Sequence, residues 1–353
     1  MAPPQPVSLD ASEYGLDKKE IRMAFEFTMD PVARIRLAKT GFDPASIPHE
    51  YCYSCDLCGW QVFRTVSHID RYGFPARYQM CEGCGLVFQN PRPTAKGYAE
   101  FYEKWYRPLV AALKGQPQDE EALLPDQRAY AAKLVRFLQP HLQAAEISFS
   151  VDLGGSTGCV ARAVQDTLGG KCLVVDPSPS ELRGARKLGL ECEEGLAEQW
   201  NPQDRRFDLA LICRSVDHLL SISSVLAKVA HCLKPGGFLF VDPVDFESWA
   251  RTMYDYRKLL KMDHVYYLSD ETMRLYLRAA GFEIVASDFG DGTHISYLTR
   301  CTGKILKPVH ETDYAYETGR MLRARLVKPM PPSYPVDPLT RLVRLARQLI
   351  LTG

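Results

Sequence analysis

Two pairs of cysteines share one spacing, Cys55-Asp56-Leu57-Cys58-Gly59 and Cys81-Glu82-Gly83-Cys84-Gly85. Cys-x-x-Cys-Gly lets both sulfurs of a knuckle reach one ion, and the trailing glycine permits the tight turn. Four thiolates make a closed tetrahedral set, which suits a structural Zn2+, whereas a catalytic zinc keeps one position open. Cys52 has the same spacing to Cys55 but no glycine after it, so it counts as a neighbour. A second chemistry is written at Asp152-Leu153-Gly154-Gly155-Ser156-Thr157-Gly158. Glycines there let the backbone turn tightly and approach a ligand with no Cβ in the way. Further on, Asp176 ends a short apolar run. In a nucleotide-binding α/β fold an acidic residue at that point accepts hydrogen bonds from ribose hydroxyls.

These residues need strands and turns to place them. The run before Gly154 reads as a strand, and a helical pattern follows over residues 160–168. Residues 172–175 read as a second strand, ending on Asp176. Residues 207–213 read as a buried strand, with a loop over residues 214–219 at its carboxyl end. Leu233-Lys234-Pro235-Gly236-Gly237 ends a helix, because proline cannot continue one and the glycines supply the turn. A strand over residues 238–241 follows, and residues 279–284 close a helix before a further strand. The alternation predicts an α/β fold with helices on both faces of a Rossmann-like sheet, preceded by a small zinc ribbon and a helical segment.

A chain of 353 residues has room for two or three domains. Its 43 Lys and Arg balance 43 Asp and Glu, so no global electrostatic grip on nucleic acid is implied. The Pro-rich start lacks the apolar core of a signal peptide, and no apolar run approaches the roughly 20 residues of a membrane span. The expected compartment is the cytoplasm, where the eleven cysteines stay reduced and close pairs point to metal rather than disulfides. Five segments are expected: a helical extension (1–50), the zinc-binding module (51–95), a helical linker or lid (96–146), the catalytic domain (147–300) and a basic extension (301–353). The lid carries Tyr98, Phe101, Tyr102, Trp105 and Tyr106, and the last segment holds an amphipathic helix over residues 339–351.

The glycine turn, the acidic strand end and Leu-Lys-Pro-Gly-Gly before a strand, in this order, resemble the motifs of class I S-adenosylmethionine-dependent methyltransferases. The resemblance covers about residues 147–300. It implies that S-adenosylmethionine is held by Asp152, Gly154, Gly155 and Gly158, with Asp176 on the ribose. Leu196, in Gly195-Leu196-Ala197-Glu198, stands where the family often has an acidic residue near the adenine amine. Ser156 stands where many members have glycine; at φ > 0 a serine costs about 1 kcal/mol more. The knuckles, the run over residues 85–93 and two Asp-His segments, Asp217-His218-Leu219-Leu220 and Asp263-His264-Val265-Tyr266-Tyr267, are similar to bacterial methyltransferases of sugar and polysaccharide biosynthesis. The C-methylating members of that group carry a large extra domain near their end. About fifty residues remain here, which favours transfer to oxygen.

A hydroxyl acceptor must lose its proton as the new bond forms. In an open α/β sheet the site lies beyond the carboxyl ends of the strands. That selects residues 214–218, residues 242–245 and the later loop with His264, Tyr266 and Tyr267. His218 is the first candidate base, because an imidazole titrates near neutrality; His264 and Asp245 are the others. Arg214 offers a planar fork for a phosphate. The expected acceptor is a small molecule, a sugar or nucleotide sugar. Two other readings stay open. An RNA methyltransferase with a zinc module is one, although residues 51–95 hold four Arg against three acids, and RNA grips are basic. A non-catalytic scaffold that binds zinc and cofactor is the other.

Overall fold

The computed structural model describes residues 31–142, 145–252, 259–287, 289, 294–304 and 312–327. The expected amphipathic helix over residues 339–351 lies outside them. Helix α1 (Pro31–Ala38) leads to a short strand, β1 (His49–Glu50). The cysteine module supplies β2 (Phe63–Ile69), β3 (Pro75–Cys81), β4 (Val87–Gln89) and β5 (Arg92–Pro93). Three helices follow: α2 (Ala95–Lys104), α3 (Tyr106–Lys114) and α4 (Glu120–Leu142). The next elements alternate: β6 (Phe149–Leu153), α5 (Cys159–Leu168), β7 (Lys171–Asp176), α6 (Pro179–Lys187), β8 (Glu191–Glu194), β9 (Phe207–Ile212), α7 (Ile222–Cys232) and β10 (Leu233–Val241). The chain then makes α8 (Phe246–Thr252), β11 (Tyr266–Tyr267), α9 (Asp270–Ala279), β12 (Phe282–Ala286), β13 (Tyr297–Cys301) and α10 (Thr312–Val327).

The large sheet has seven strands in the order β12-β13-β10-β9-β6-β7-β8, with β13 antiparallel to both its neighbours. This is the Rossmann-like sheet that the sequence implied. Its central strands are apolar on both faces, as buried parallel strands must be. Leu209, Leu211, Phe238 and Phe240 point into one core with Leu134 and Leu138 of α4 and Val164 of α5. Ala210, Ile212, Leu239 and Val241 point into the other, with Val225 and Leu226 of α7 and Met273 of α9. Each such buried aliphatic side chain contributes roughly 1.5–3 kcal/mol. The strand after Leu-Lys-Pro-Gly-Gly begins earlier than expected, at Leu233, and its pairing with β9 shifts register between Leu233 and Phe238. The two glycines therefore make an irregularity inside β10 rather than a turn ahead of it.

The cysteine module is not an appended bead. A four-stranded sheet runs β11-β4-β3-β2, so Tyr266 and Tyr267 pair with Phe88 and Val87. Cys55, Leu57, Cys81, Cys84, Leu86 and Phe88 share one apolar core with α7 and α9. Phe42 packs edge-on against Phe74 and Phe101 at 5.4 and 5.8 Å and lies 5.3 Å from Trp105, so of these lid aromatics Phe101 is core and the half-buried Trp105 packs against it.

Candidate active site and cysteine cluster

A cleft of about 430 Å³ opens beyond the carboxyl ends of β6, β7 and β9. Asp152, Gly154, Gly155, Asp176 and Leu196 line it together with Tyr98, Tyr102, Tyr106, Tyr130 and His218. Gly158 sits behind the cleft at the start of α5, with φ 79°. A Cβ there would come within 2.5 Å of Leu190 Cδ1 and 2.9 Å of Ala185 Cβ, so this glycine serves helix packing. Ser156 does adopt φ 52°, the strained region foreseen for it. Its N–H offsets part of that cost by donating to Asp176 Oδ2 at 2.9 Å, and its hydroxyl donates to Glu181. Glu181 pairs with Arg107 of α3 at 2.9 Å, tying the lid to the glycine loop.

The two acids of the cofactor side differ in kind. Asp152 is 1% exposed and neither carboxylate oxygen has a hydrogen-bond partner. Burial, then the neighbouring Asp176 and Asp242, push its pKa up to about 7. A Cβ on Gly155 would lie 2.8 Å from Asp152 Oδ2, so the glycine keeps that carboxylate open. An orphaned buried carboxylate is costly unless a polar or cationic group meets it. The ammonium of a bound amino-acid moiety is such a group. Asp176 accepts the N–H groups of Ser156 and Ser178, each at 2.9 Å, one on each oxygen. Each oxygen keeps a lone pair for a ribose hydroxyl. Burial pushes its pKa up to about 6, against the pull of those two N–H groups. These residues therefore fit S-adenosylmethionine.

On the acceptor side two distant loops meet. The rings of His218 and His264 stand 4.2 Å apart between centroids. His264 Nδ1 faces Asp217 Oδ2 at 2.8 Å, and His264 Nε2 lies 2.9 Å from Lys261 Nζ. His218 Nδ1 is hydrogen-bonded to the Tyr102 hydroxyl. Burial, then the charge of His264, holds the His218 pKa down to about 4. Burial opposes ionisation of Asp217, but His264 and His218 outweigh it and its carboxyl lies well below the usual range. For Asp263, Lys261 and His264 outweigh burial in the same way.

Of the three candidate bases, only His218 lines the cleft. His264 stands behind it. Asp245 accepts the Ser248 N–H at 3.0 Å in the first turn of α8, away from the cleft lining, so its carboxylate serves as a helix cap. The inward-facing acid at that strand end is Asp242, which accepts Tyr130 Oη–H and Arg214 N–H, both at 2.7 Å. The Arg214 guanidinium lies 4.3 Å over the Tyr130 ring. Tyr266 and Tyr267 are core residues that donate to Leu220 O at 2.9 Å and Lys261 O at 2.8 Å. Sequence reasoning missed Tyr102 as the partner of His218 and Lys261 as the partner of His264. The repeated Asp-His dipeptide was the available signal for the pairing of the two loops.

The four knuckle cysteines come together as their spacing implied. Cys55 Sγ and Cys84 Sγ are 3.6 Å apart, as are Cys58 Sγ and Cys81 Sγ. All four sulfurs lie within 4.8 Å of one another. A tetrahedron of thiolates around zinc at about 2.3 Å sets sulfurs about 3.8 Å apart, so the donor set fits that ion. Cys52 stands outside the set, and its N–H donates to Asn90 Oδ1 at 2.8 Å.

Residues 125–287 match the model of a methyltransferase domain family. The chain is 27% identical to the ubiquinone biosynthesis O-methyltransferase of Xylella fastidiosa, over 53% of its own length and 76% of that protein. It is 29% identical to the protein of the same name from Bradyrhizobium sp., over 28% of its length and 40% of that relative. An S-adenosylmethionine-dependent methyltransferase structure from Clostridium acetobutylicum shares 15% identity, covers 48% of this chain and 91% of its own, and has a TM-score of 0.41. Among the described residues no helix is long and apolar enough to cross a membrane.

Proposed function

We propose that this chain, which carries a class I methyltransferase domain, transfers a methyl group from S-adenosylmethionine to a hydroxyl of a small-molecule acceptor. The observation that carries the reading is His218, an imidazole in the same cleft as the glycine loop and the two cofactor-side acids. The cofactor, when bound, supplies a methyl group already activated on a sulfonium. Asp176 would hold the ribose, Asp152 the ammonium, and Leu196 would pack on the adenine.

His218 would take the hydroxyl proton at Nε2. That tautomer requires Nδ1–H to donate to the Tyr102 oxygen, while the Tyr102 proton turns to the Asp263 carbonyl, 3.4 Å away. Tyr98, Tyr102 and Tyr106 form an aromatic wall that excludes water and orients the acceptor. For the acceptor itself we favour a sugar or nucleotide sugar, whose apolar ring face suits such a wall and whose methyltransferases the knuckle module resembles. The four cysteines would hold one structural Zn2+. A phenolic hydroxyl is the second reading. A base of pKa about 4 favours it, being better matched to a phenol near 10 than to an alcohol, and the O-methyltransferases named above agree with transfer to oxygen.

The test is methyl transfer from labelled S-adenosylmethionine to separate panels of nucleotide sugars, catechols and RNA. Label in sugars alone supports the favoured acceptor, and label in catechols alone selects the second. Label in RNA overturns both, and cofactor binding with no transfer to any panel makes the chain a scaffold. The cofactor side has its own expected result: Asp176→Ala weakens S-adenosylmethionine binding at least tenfold. It removes hydrogen bonds to an ionised acceptor, each contributing about 1.5–3 kcal/mol. Calorimetry giving equal affinities would take Asp176 out of the site.

A further inference from the structure

We propose that Asp56, inside the first cysteine knuckle, is a positioning residue for the His218 loop. The inference rests on the proposed function only in taking His218 as the group that meets the acceptor. Asp56 lies 165 residues before Ser221, yet its carboxylate collects three hydrogen bonds from the far side of that loop and a fourth from α9. Oδ1 accepts from the hydroxyls of Ser221 at 2.7 Å and Ser223 at 2.9 Å. Oδ2 accepts from the Ser223 N–H and the Tyr276 hydroxyl, each at 3.0 Å. Ser221 is the N-cap of α7, and the short helical turn that precedes it ends on His218.

Helix α7 does not need Asp56 for a cap. Ser221 Oγ already accepts the Ser224 N–H at 3.2 Å. The extra carboxylate arrives from another part of the chain and fastens the knuckle to the loop, at a helix end where the macrodipole favours an anion. The module adds a second tie. Arg92 donates to the carbonyl of Leu220, which also receives the Tyr266 hydroxyl at 2.9 Å. From within the large domain, Glu198 accepts the Leu220 N–H at 2.6 Å and the Ser221 N–H at 3.2 Å. Residues 220–223 are thus held on backbone and side chain, and His218 is two residues away. On the knuckle side, Asp56 is itself held by turn bonds, Cys55 N–H to Trp60 O at 2.8 Å and Gly59 N–H to Cys55 O at 2.9 Å.

The experiment compares the full chain with Asp56→Ala, Asp56→Asn and Ser223→Ala. It reads amide hydrogen exchange over residues 216–224, the His218 ring resonances, calorimetric affinity for S-adenosylmethionine, and metal content. In Asp56→Ala those amides should exchange at least tenfold faster and the His218 resonances should shift and broaden. Cofactor affinity should stay within about twofold and metal content should not change. Asp56→Asn keeps one acceptor oxygen and should restore part of the protection. Ser223→Ala removes one of the four bonds from the other side and should loosen the same amides by about threefold. Wild-type exchange and resonances in both alanine variants would overturn the proposal. So would faster exchange spread evenly through β6, β7 and β9, or loss of metal in Asp56→Ala, since either would mark a general loss of fold. A His218→Ala variant with full turnover would defeat the base assignment and leave the exchange result standing.

Discussion

His218→Ala lowers turnover by roughly 10² to 10⁴ while the affinity for S-adenosylmethionine changes by less than about twofold. The expectation follows from where the imidazole sits. It lines the same cleft as the acids that would hold the cofactor but is bonded to Tyr102 and packed against His264, not bonded to those acids, so its loss removes a proton acceptor and leaves the cofactor contacts in place. The pH dependence differs from what an ordinary histidine would give. With a folded pKa held down to about 4, His218 is neutral and competent at pH 7. The acidic limb of the rate profile should therefore fall near pH 4 rather than near the ordinary 6.5. The sign for stability follows from the same shift. Between about pH 6.5 and 4 the unfolded chain binds the proton and the folded chain does not, so this group lowers stability as pH falls through that window. His218→Ala should lose both the limb and this part of the acid sensitivity. Unchanged turnover, or a wild-type limb near 6.5, would reassign the proton to another group.

Cys81→Ser should abolish metal binding and unfold the module, against one zinc per chain in the parent protein. Apparent binding free energies of structural zinc are about 10–16 kcal/mol, comparable with the whole stability of a typical domain. The damage should reach past the knuckles, because Cys81 and Cys84 share a core with α7 and α9. Cys52→Ser should keep its metal. Elemental analysis of protein purified without chelator decides the matter. A parent protein free of metal defeats the assignment, and metal lost on Cys52→Ala but kept on Cys55→Ala shows a different ligand set.

What the sequence disclosed was what is local. A Cys-x-x-Cys-Gly knuckle or a glycine turn between strand and helix is specified by a handful of neighbouring residues, and each was found where its spacing put it. The strain at Ser156 was legible for the same reason, since the turn dictates φ whichever residue occupies it. The meeting of His218 with His264 was not legible. The two loops are joined by Val265 N–H to Asp217 O at 3.0 Å, next to β11, a two-residue strand with no periodicity to read that pairs with β4 about 180 residues earlier. Asp245 misled because two acids stand near one strand end. Only packing tells that Asp242 turns inward to Tyr130 and Arg214 while Asp245 turns to its own helix.

The shared sheet also sets an order of events during synthesis. One edge of β4 can pair only when residues 266–267 exist, long after Gln89 has left the ribosome. At about 5–20 residues per second that interval is roughly 10–35 s. Throughout it the nascent chain presents an open strand edge carrying Val87 and Phe88, the kind of edge that recruits other strands. A zinc ion on the four cysteines, whose two knuckles lie within thirty residues of each other, would hold that hairpin in register until its last partner arrives.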